Sequence, residues 1–239
     1  MSKIIGTCCI CGEERVLTFE HFPPQSAGNK SPVFMQRADN ILPINNVLYG
    51  KKSRSHKGLG DKTLCQSCNN NTGSCYGNSY SSFATQGLKI LQERKLERDL
   101  VRFKLDIQPL NVFKQILAIF CSTDRAGYLR GLPQMKNFLL IPDSKTFPSG
   151  FKLYMYCTLS NQHRCLGMSS TLIPEIGIGK YCEFNFRPYG FILAEQSLPP
   201  EDSMQDITGF LAYGYNEKAE INLQAPYLTV SSPYLAMYG

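Results

Sequence analysis

Two Cys-x-x-Cys pairs, Cys8/Cys11 and Cys65/Cys68, constrain the fold of this 239-residue chain more than any other feature. Thiols at that spacing form knuckles, and four thiolates close a tetrahedral zinc (Zn2+) site with no position left for substrate. Such an ion folds a module rather than catalysing, because its binding energy appears as folding energy. It also sets a geometric condition: the chain around Cys65 must return to the chain around Cys11 across 53 residues, positions 12 to 64. An ordinary zinc ribbon separates its pairs by roughly 15–20 residues, so the segment between these knuckles is expected to carry structure and residues of its own.

The chain has ten cysteines. In a reducing compartment they are not expected to pair as structural disulfides, which leaves metal as the first explanation for clustered ones. Cys9 is an alternative ligand at tighter spacing from Cys11, and Cys75 follows the second pair. Cys121, Cys157, Cys165 and Cys182 are scattered and read as small buried hydrophobes.

Along the chain, Val16-Leu17-Thr18-Phe19 is a β-prone run stopped by Pro23-Pro24. Residues 25–62 read as an irregular insertion, and Lys62 to Cys65 as a second strand. From Asn69 to about Leu100, the spacing of Phe83, Leu88, Leu91 and Leu96 predicts a helix, weakened early by Gly73, Gly77 and Gly87. Val101, Phe103, Leu105 and Ile107 alternate with charged residues, as a half-buried strand does. Pro109 suits the first turn of a helix carrying Phe113, Ile116, Leu117 and Phe120 on one face. Strands are then predicted over 151–159, 181–186 and 190–194. The fold class expected is α+β: a zinc-stabilised ββα-metal N-terminal module, a helical segment, and a strand-rich C-terminal half. The expected division is a zinc-bound module at 1–100 and a strand-rich domain at 101–239.

Between the knuckles lies Glu20-His21-Phe22-Pro23-Pro24, and Asn69 follows the second knuckle directly. A carboxylate beside a histidine at one strand's end, and an amide opening a helix, can converge beside the zinc that pins strand to helix. Neutral imidazole accepts a proton from water near pH 7. Carboxylate and amide oxygens suit a hard divalent cation.

The order Cys-x-x-Cys, Glu-His-x-x-Pro, Cys-x-x-Cys-Asn resembles the zinc-clamped branch of the HNH, or His-Me finger, endonucleases over roughly the first third of the chain. The resemblance implies a ββα-metal fold, hydrolysis of DNA phosphodiester bonds, and one catalytic divalent ion, usually magnesium (Mg2+). It implies His21 as general base, and Glu20 and Asn69 as ligands of that ion. The chain departs from the family in carrying Glu where Asp is commoner, and Asn where His is frequent, with Asn70 competing for that place. The family's middle asparagine braces the intervening loop, and Asn40, Asn45 and Asn46 are all candidates. Neighbours 20 and 21 point to opposite faces of a regular strand; the proline pair implies that the strand has already twisted into a turn there.

Lys51, Lys52, Arg54 and Lys57 place four positive charges in seven residues, a segment able to contact phosphates. The net charge of +6 fits a polyanionic partner such as DNA. His56 reads as exposed and His163 as structural. No phosphate loop, nucleophile elbow or dinucleotide fingerprint occurs. No apolar stretch reaches the roughly 18 residues that span a bilayer, and residues 3–10 are too short and polar for a signal peptide, so a cytoplasmic, membrane-free protein is expected. The strand-rich half carries no motif and would serve targeting, a protein partner or oligomerisation. A second reading, from another class, is a noncatalytic zinc-stabilised module that binds nucleic acid or protein; it needs the cysteines and the charge but not Glu20, His21 or Asn69.

Overall fold

Hydrophobic alternation and the cysteine tie together dictate most of the architecture in the computed structural model, which describes residues 3–36, 47, 49–93, 100–173 and 177–229. Strands β1 (Ile5–Thr7) and β2 (Glu14–His21) form a hairpin whose turn is the first knuckle. A short ribbon follows, β3 (Val33–Gln36) against β4 (Lys52–Ser55), and then β5 (Gly60–Cys65) returns along β2. The first sheet therefore has the order β1-β2-β5, all antiparallel. Helix α1 (Gln66–Gln92) leaves directly from β5.

The second half begins with β6 (Leu100–Ile107) and α2 (Pro109–Thr123), followed by the short α3 (Met135–Leu140). Five strands then build an antiparallel sheet: β7 (Phe151–Cys157), β8 (Arg164–Ile173), β9 (Gly177–Phe186), β10 (Tyr189–Glu195) and β11 (Gln205–Asp206), in the order β11-β7-β10-β9-β8. The last strand, β12 (Ala219–Pro226), pairs back on β6. The class is α+β and strand-rich, as expected. Among the described residues no helix is long and apolar enough to cross a membrane.

Several expectations change in detail. The helix expected from Asn69 starts three residues earlier, with Cys65 at its N-cap, and Leu100 belongs to β6. Gly87 sits in α1 because a Cβ there would lie 1.9 Å from the Tyr189 hydroxyl; the helix passes that close so that Phe83 can stack on Tyr189 at 4.3 Å. The insertion at 25–62 is not wholly irregular, since β3 and β4 pair within it; strands of four residues are too short to show a period. Strand β12 was missed, although Ile221, Leu223 and Ala225 alternate there with Glu220, Asn222 and Gln224. Strand β8 was missed because serines and glycine interrupt it, with a register shift between Leu166 and Ser169. One apolar cluster runs from Leu64 and Phe83 through Phe103 and Phe113 to Phe191. Cys121, Cys157 and Cys182 are buried, as expected of small hydrophobes.

Helix α2 buries every residue from Pro109 to Ser122, not one face. Lys114 is among them, fully buried, its Nζ donating to the carbonyls of Ile141 at 2.8 Å and Pro142 at 2.7 Å over the Phe138 ring. Burial pushes its ammonium down to about 8, partly opposed by Asp143. The folded value lies below the unfolded one, so the cost of burying the charge is fully present below pH 8 and is relieved as pH rises toward the unfolded value. The stability of the parent relative to Lys114→Met is therefore expected to rise by up to about 3 kcal/mol between pH 7.5 and 10.5. Denaturant melts of both proteins across that range check it; a flat difference would contradict it.

Candidate metal centre and the adjoining Glu20–His21 site

The first knuckle turns because Gly12 takes a left-handed φ of 78° and its N–H bonds the Cys8 carbonyl at 3.0 Å. This carries Cys11 back beside Cys8. Cys65 ends β5 and Cys68 lies in the first turn of α1, so both reach the same point from the other side of the sheet. The four ligand atoms all lie within 4.8 Å of one another, with the Cys11 and Cys65 sulfurs 4.0 Å apart. Sulfurs around a tetrahedral zinc, at about 2.3 Å from the ion, stand roughly 3.8 Å apart. Cys8, Cys65 and Cys68 are buried and Cys11 is half-buried. The Cys8 thiol is drawn down to about 4 by a hydrogen bond from Cys68, against the effect of burial, with help from backbone groups at Cys65, Cys11 and Ile10. Donors already face this sulfur as they would face a bound thiolate. The cluster is compatible with structural zinc. Cys9 lies outside it, and burial holds its thiol up. Cys75 is outside it too.

Glu20 and His21 close β2. The register steps from Thr18↔Leu64 to Phe19↔Lys62, so the extra residue, Thr63, belongs to β5 and β2 keeps its period of two. His21 still pairs with Gly60, so the strand does not turn before the prolines. Phe19 and His21 share one side, their rings 4.8 Å apart. Thr18 and Glu20 share the other. Asn69 reaches that second side: its Nδ2 donates to the Thr18 hydroxyl at 3.0 Å and to the Phe19 carbonyl at 3.2 Å. Thr18 itself donates to the Leu64 carbonyl at 2.9 Å, so both of Asn69's partners are acceptors. The amide nitrogen must face them, which turns Oδ1 away.

Glu20 is 7% exposed, and its carboxylate has no hydrogen-bond or ion-pair partner among the described residues. Burial alone raises it to about 8. Its cross-strand neighbour Asp61 is instead ion-paired with Arg125. Burial lowers the His21 pKa, offset in part by a backbone hydrogen bond at Lys57. Its Nε2 is buried with no hydrogen-bond partner. The expected turn at residues 20 and 21 is therefore absent: the Glu20 carboxylate and the His21 Nε2, both without hydrogen-bond partners among the described residues, lie on opposite sides of β2. Of the three residues, Glu20 and Asn69 share one side of the strand and His21 faces the other.

The loop brace is Asn29, which the sequence reading did not weigh. Its Nδ2 donates to the carbonyls of Pro23 at 2.8 Å and Leu59 at 2.7 Å, and its Oδ1 accepts the Leu59 N–H at 2.7 Å. A Cβ on Gly58 would meet the Asn29 Oδ1 at 2.4 Å, and Gly58 has φ of 86°, so glycine is required. Flanking signals existed, since Gly28-Asn29 follows the proline pair within a few residues. Asn40, Asn45 and Asn46 lie outside the described residues.

The basic residues divide. Lys52 and Arg54 stand on β4, Lys51 precedes it, and Lys57 follows with its Nζ 5.8 Å from the Phe19 ring centroid. All four are exposed, as is His56. His163 stacks on Phe186 at 4.4 Å, and burial drops it to about 4, a structural role as expected. Asn70 is exposed and lines an open cleft of about 740 Å³ with Cys11, Arg15, Lys136 and Leu140. That cleft lies against the knuckles, and neither Glu20, His21 nor Asn69 lines it. No protein-family model, curated protein or solved structure matches this chain.

Proposed function

We propose that this chain is a divalent-metal-dependent endonuclease of the HNH type that hydrolyses DNA phosphodiester bonds. The observation that carries the reading is the end of β2, which holds a buried carboxylate, Glu20, on the side that Asn69 reaches and a buried imidazole nitrogen of His21 on the other, both without hydrogen-bond partners among the described residues. In this reading β2, β5 and α1 are the ββα-metal unit, and one zinc on Cys8, Cys11, Cys65 and Cys68 holds it together.

His21 Nε2 takes a proton from the attacking water. Burial, which lowers the His21 pKa, favours the neutral imidazole that this step needs. Glu20 and the Asn69 Oδ1 would hold magnesium, which when bound would neutralise charge on the leaving oxygen. The Asn69 nitrogen meanwhile fixes the strand, through the Thr18 hydroxyl and the Phe19 carbonyl. Asn29 keeps the Lys57–Leu59 turn against the His21 ring.

Supercoiled plasmid incubated with the zinc-loaded protein is expected to be nicked or linearised with magnesium and to stay intact with EDTA. Retardation of the plasmid in both conditions without cleavage would replace this reading with that of a noncatalytic zinc-stabilised nucleic-acid-binding module.

A further inference from the structure

Residues 22–60 carry six Lys/Arg and one Asp, so five of the chain's six net positive charges sit in 39 residues. Within them the β3–β4 ribbon sorts its side chains by pairing. Val33 and Met35 turn inward and pack against the core. Phe34 and Arg54 are cross-strand partners, as are Gln36 and Lys52, and these four share the outer face. Phe34 is 74% exposed. The Arg54 guanidinium lies over its ring at 5.9 Å, which covers one side and leaves the rest to solvent. The exposed ring beside Arg54, on a face that also carries Lys52, offers a stacking surface among cations.

We infer that the outer face of this ribbon binds single-stranded DNA, with Phe34 stacking on an unpaired base while Lys52 and Arg54 contact the adjoining phosphates. The inference rests on the nuclease reading and names the form of its substrate. An intact duplex hides its base faces, whereas a single strand offers a π-face at every nucleotide together with a flexible chain of phosphates. Arg54 is suited to both jobs, since it stacks and binds phosphate. The placement suits delivery to the cutting centre. Strand β4 ends at Ser55, whose hydroxyl bonds the Gly58 carbonyl at 2.6 Å, and the turn so formed presents Lys57 to His21. A strand held on the ribbon thus lies within a few residues of the imidazole.

The experiment measures equilibrium binding of a fluorescent single-stranded oligonucleotide and of its duplex to the full, zinc-loaded chain without added divalent ion. The parent is expected to favour the single strand. Phe34→Ala should weaken that binding about 5- to 100-fold, the worth of one stacked base, with the salt slope unchanged. Phe34→Tyr should retain it. Lys52→Gln with Arg54→Gln should flatten the salt slope. Parent-like binding by Phe34→Ala, or a preference for duplex, overturns the inference. Because no catalytic divalent ion is added, failure here is separable from failure of the nuclease reading: magnesium-dependent cleavage with parent-like binding by Phe34→Ala sinks only the ribbon assignment. Phe34-dependent binding with no magnesium-dependent cleavage of either plasmid or single-stranded DNA sinks only the nuclease.

Discussion

His21→Ala is expected to fold, keep its zinc and bind DNA like the parent, yet cut about 10²–10⁴-fold more slowly, the usual worth of general-base assistance. The ring's neighbours explain why folding should survive. His21 is the last residue of β2, only half-buried, and its backbone pairing with Gly60 does not depend on the imidazole. Removing the ring also removes a buried nitrogen that has no hydrogen-bond partner, and the backbone group it releases, at Lys57, belongs to an exposed residue that water can reach. Because burial lowers the His21 pKa, the acid limb of the parent's rate profile should fall below the ordinary histidine range near pH 6.5. Glu20→Ala and Asn69→Ala should fail differently, through weaker hold on magnesium, and raised magnesium should restore part of their rate. The assay is magnesium-dependent cleavage by variants shown to be folded and zinc-loaded. Parent-like cutting by His21→Ala would falsify the catalytic assignment.

Cys65→Ser is expected to do the opposite and abolish the fold of the N-terminal region. Its sulfur is one of the four in the cluster, whereas its N-cap position and the backbone N–H it donates to the Cys8 sulfur at 3.3 Å would survive the change to serine. Structural zinc contributes roughly 10–16 kcal/mol in small zinc-dependent folds, comparable with the whole stability of a typical domain, about 5–15 kcal/mol. Losing one of four ligands is therefore not a local event. Elemental analysis should find about one zinc per parent chain and markedly less in Cys65→Ser, with broadened or lost thermal unfolding. Cys75→Ser serves as the control, because Cys75 lies outside the cluster and should keep both zinc and melting temperature. Stoichiometric zinc and a parent-like melt in Cys65→Ser would mean that the cluster does not hold the module.

The contrast between legible and hidden features has a physical basis. The cysteine cluster was readable because ligand chemistry acts at fixed spacing, two residues within each knuckle, whatever the fold between them. Strand β6 was readable because its exposed and buried residues alternate without a break. Asn29 was not, because its significance lies in three hydrogen bonds to backbone atoms 6 and 30 residues away, and backbone acceptors leave no trace in residue type. The ribbon was hidden for a different reason. Its two strands of four residues are mostly polar, and their pairing places Phe34 outward, against the usual sense of an apolar residue. Helix α2 shows a third kind of failure: its one-faced pattern was correct as far as it went, but partners cover every side, including that of Lys114.

Two of the three bonds of Asn29 fasten residue 29 to residue 59, so the chain from Lys30 to Gly58 leaves from and returns to one staple. For a closed circuit of that kind, the entropy of closure grows only with the logarithm of its length. Insertions or deletions inside the circuit can therefore be absorbed without displacing the strand ends that hold Glu20 and His21. On the proposed reading, a foreign ribbon transplanted between Asn29 and Ser55 is expected to change which nucleic acid is engaged while Glu20 and His21 stay in place.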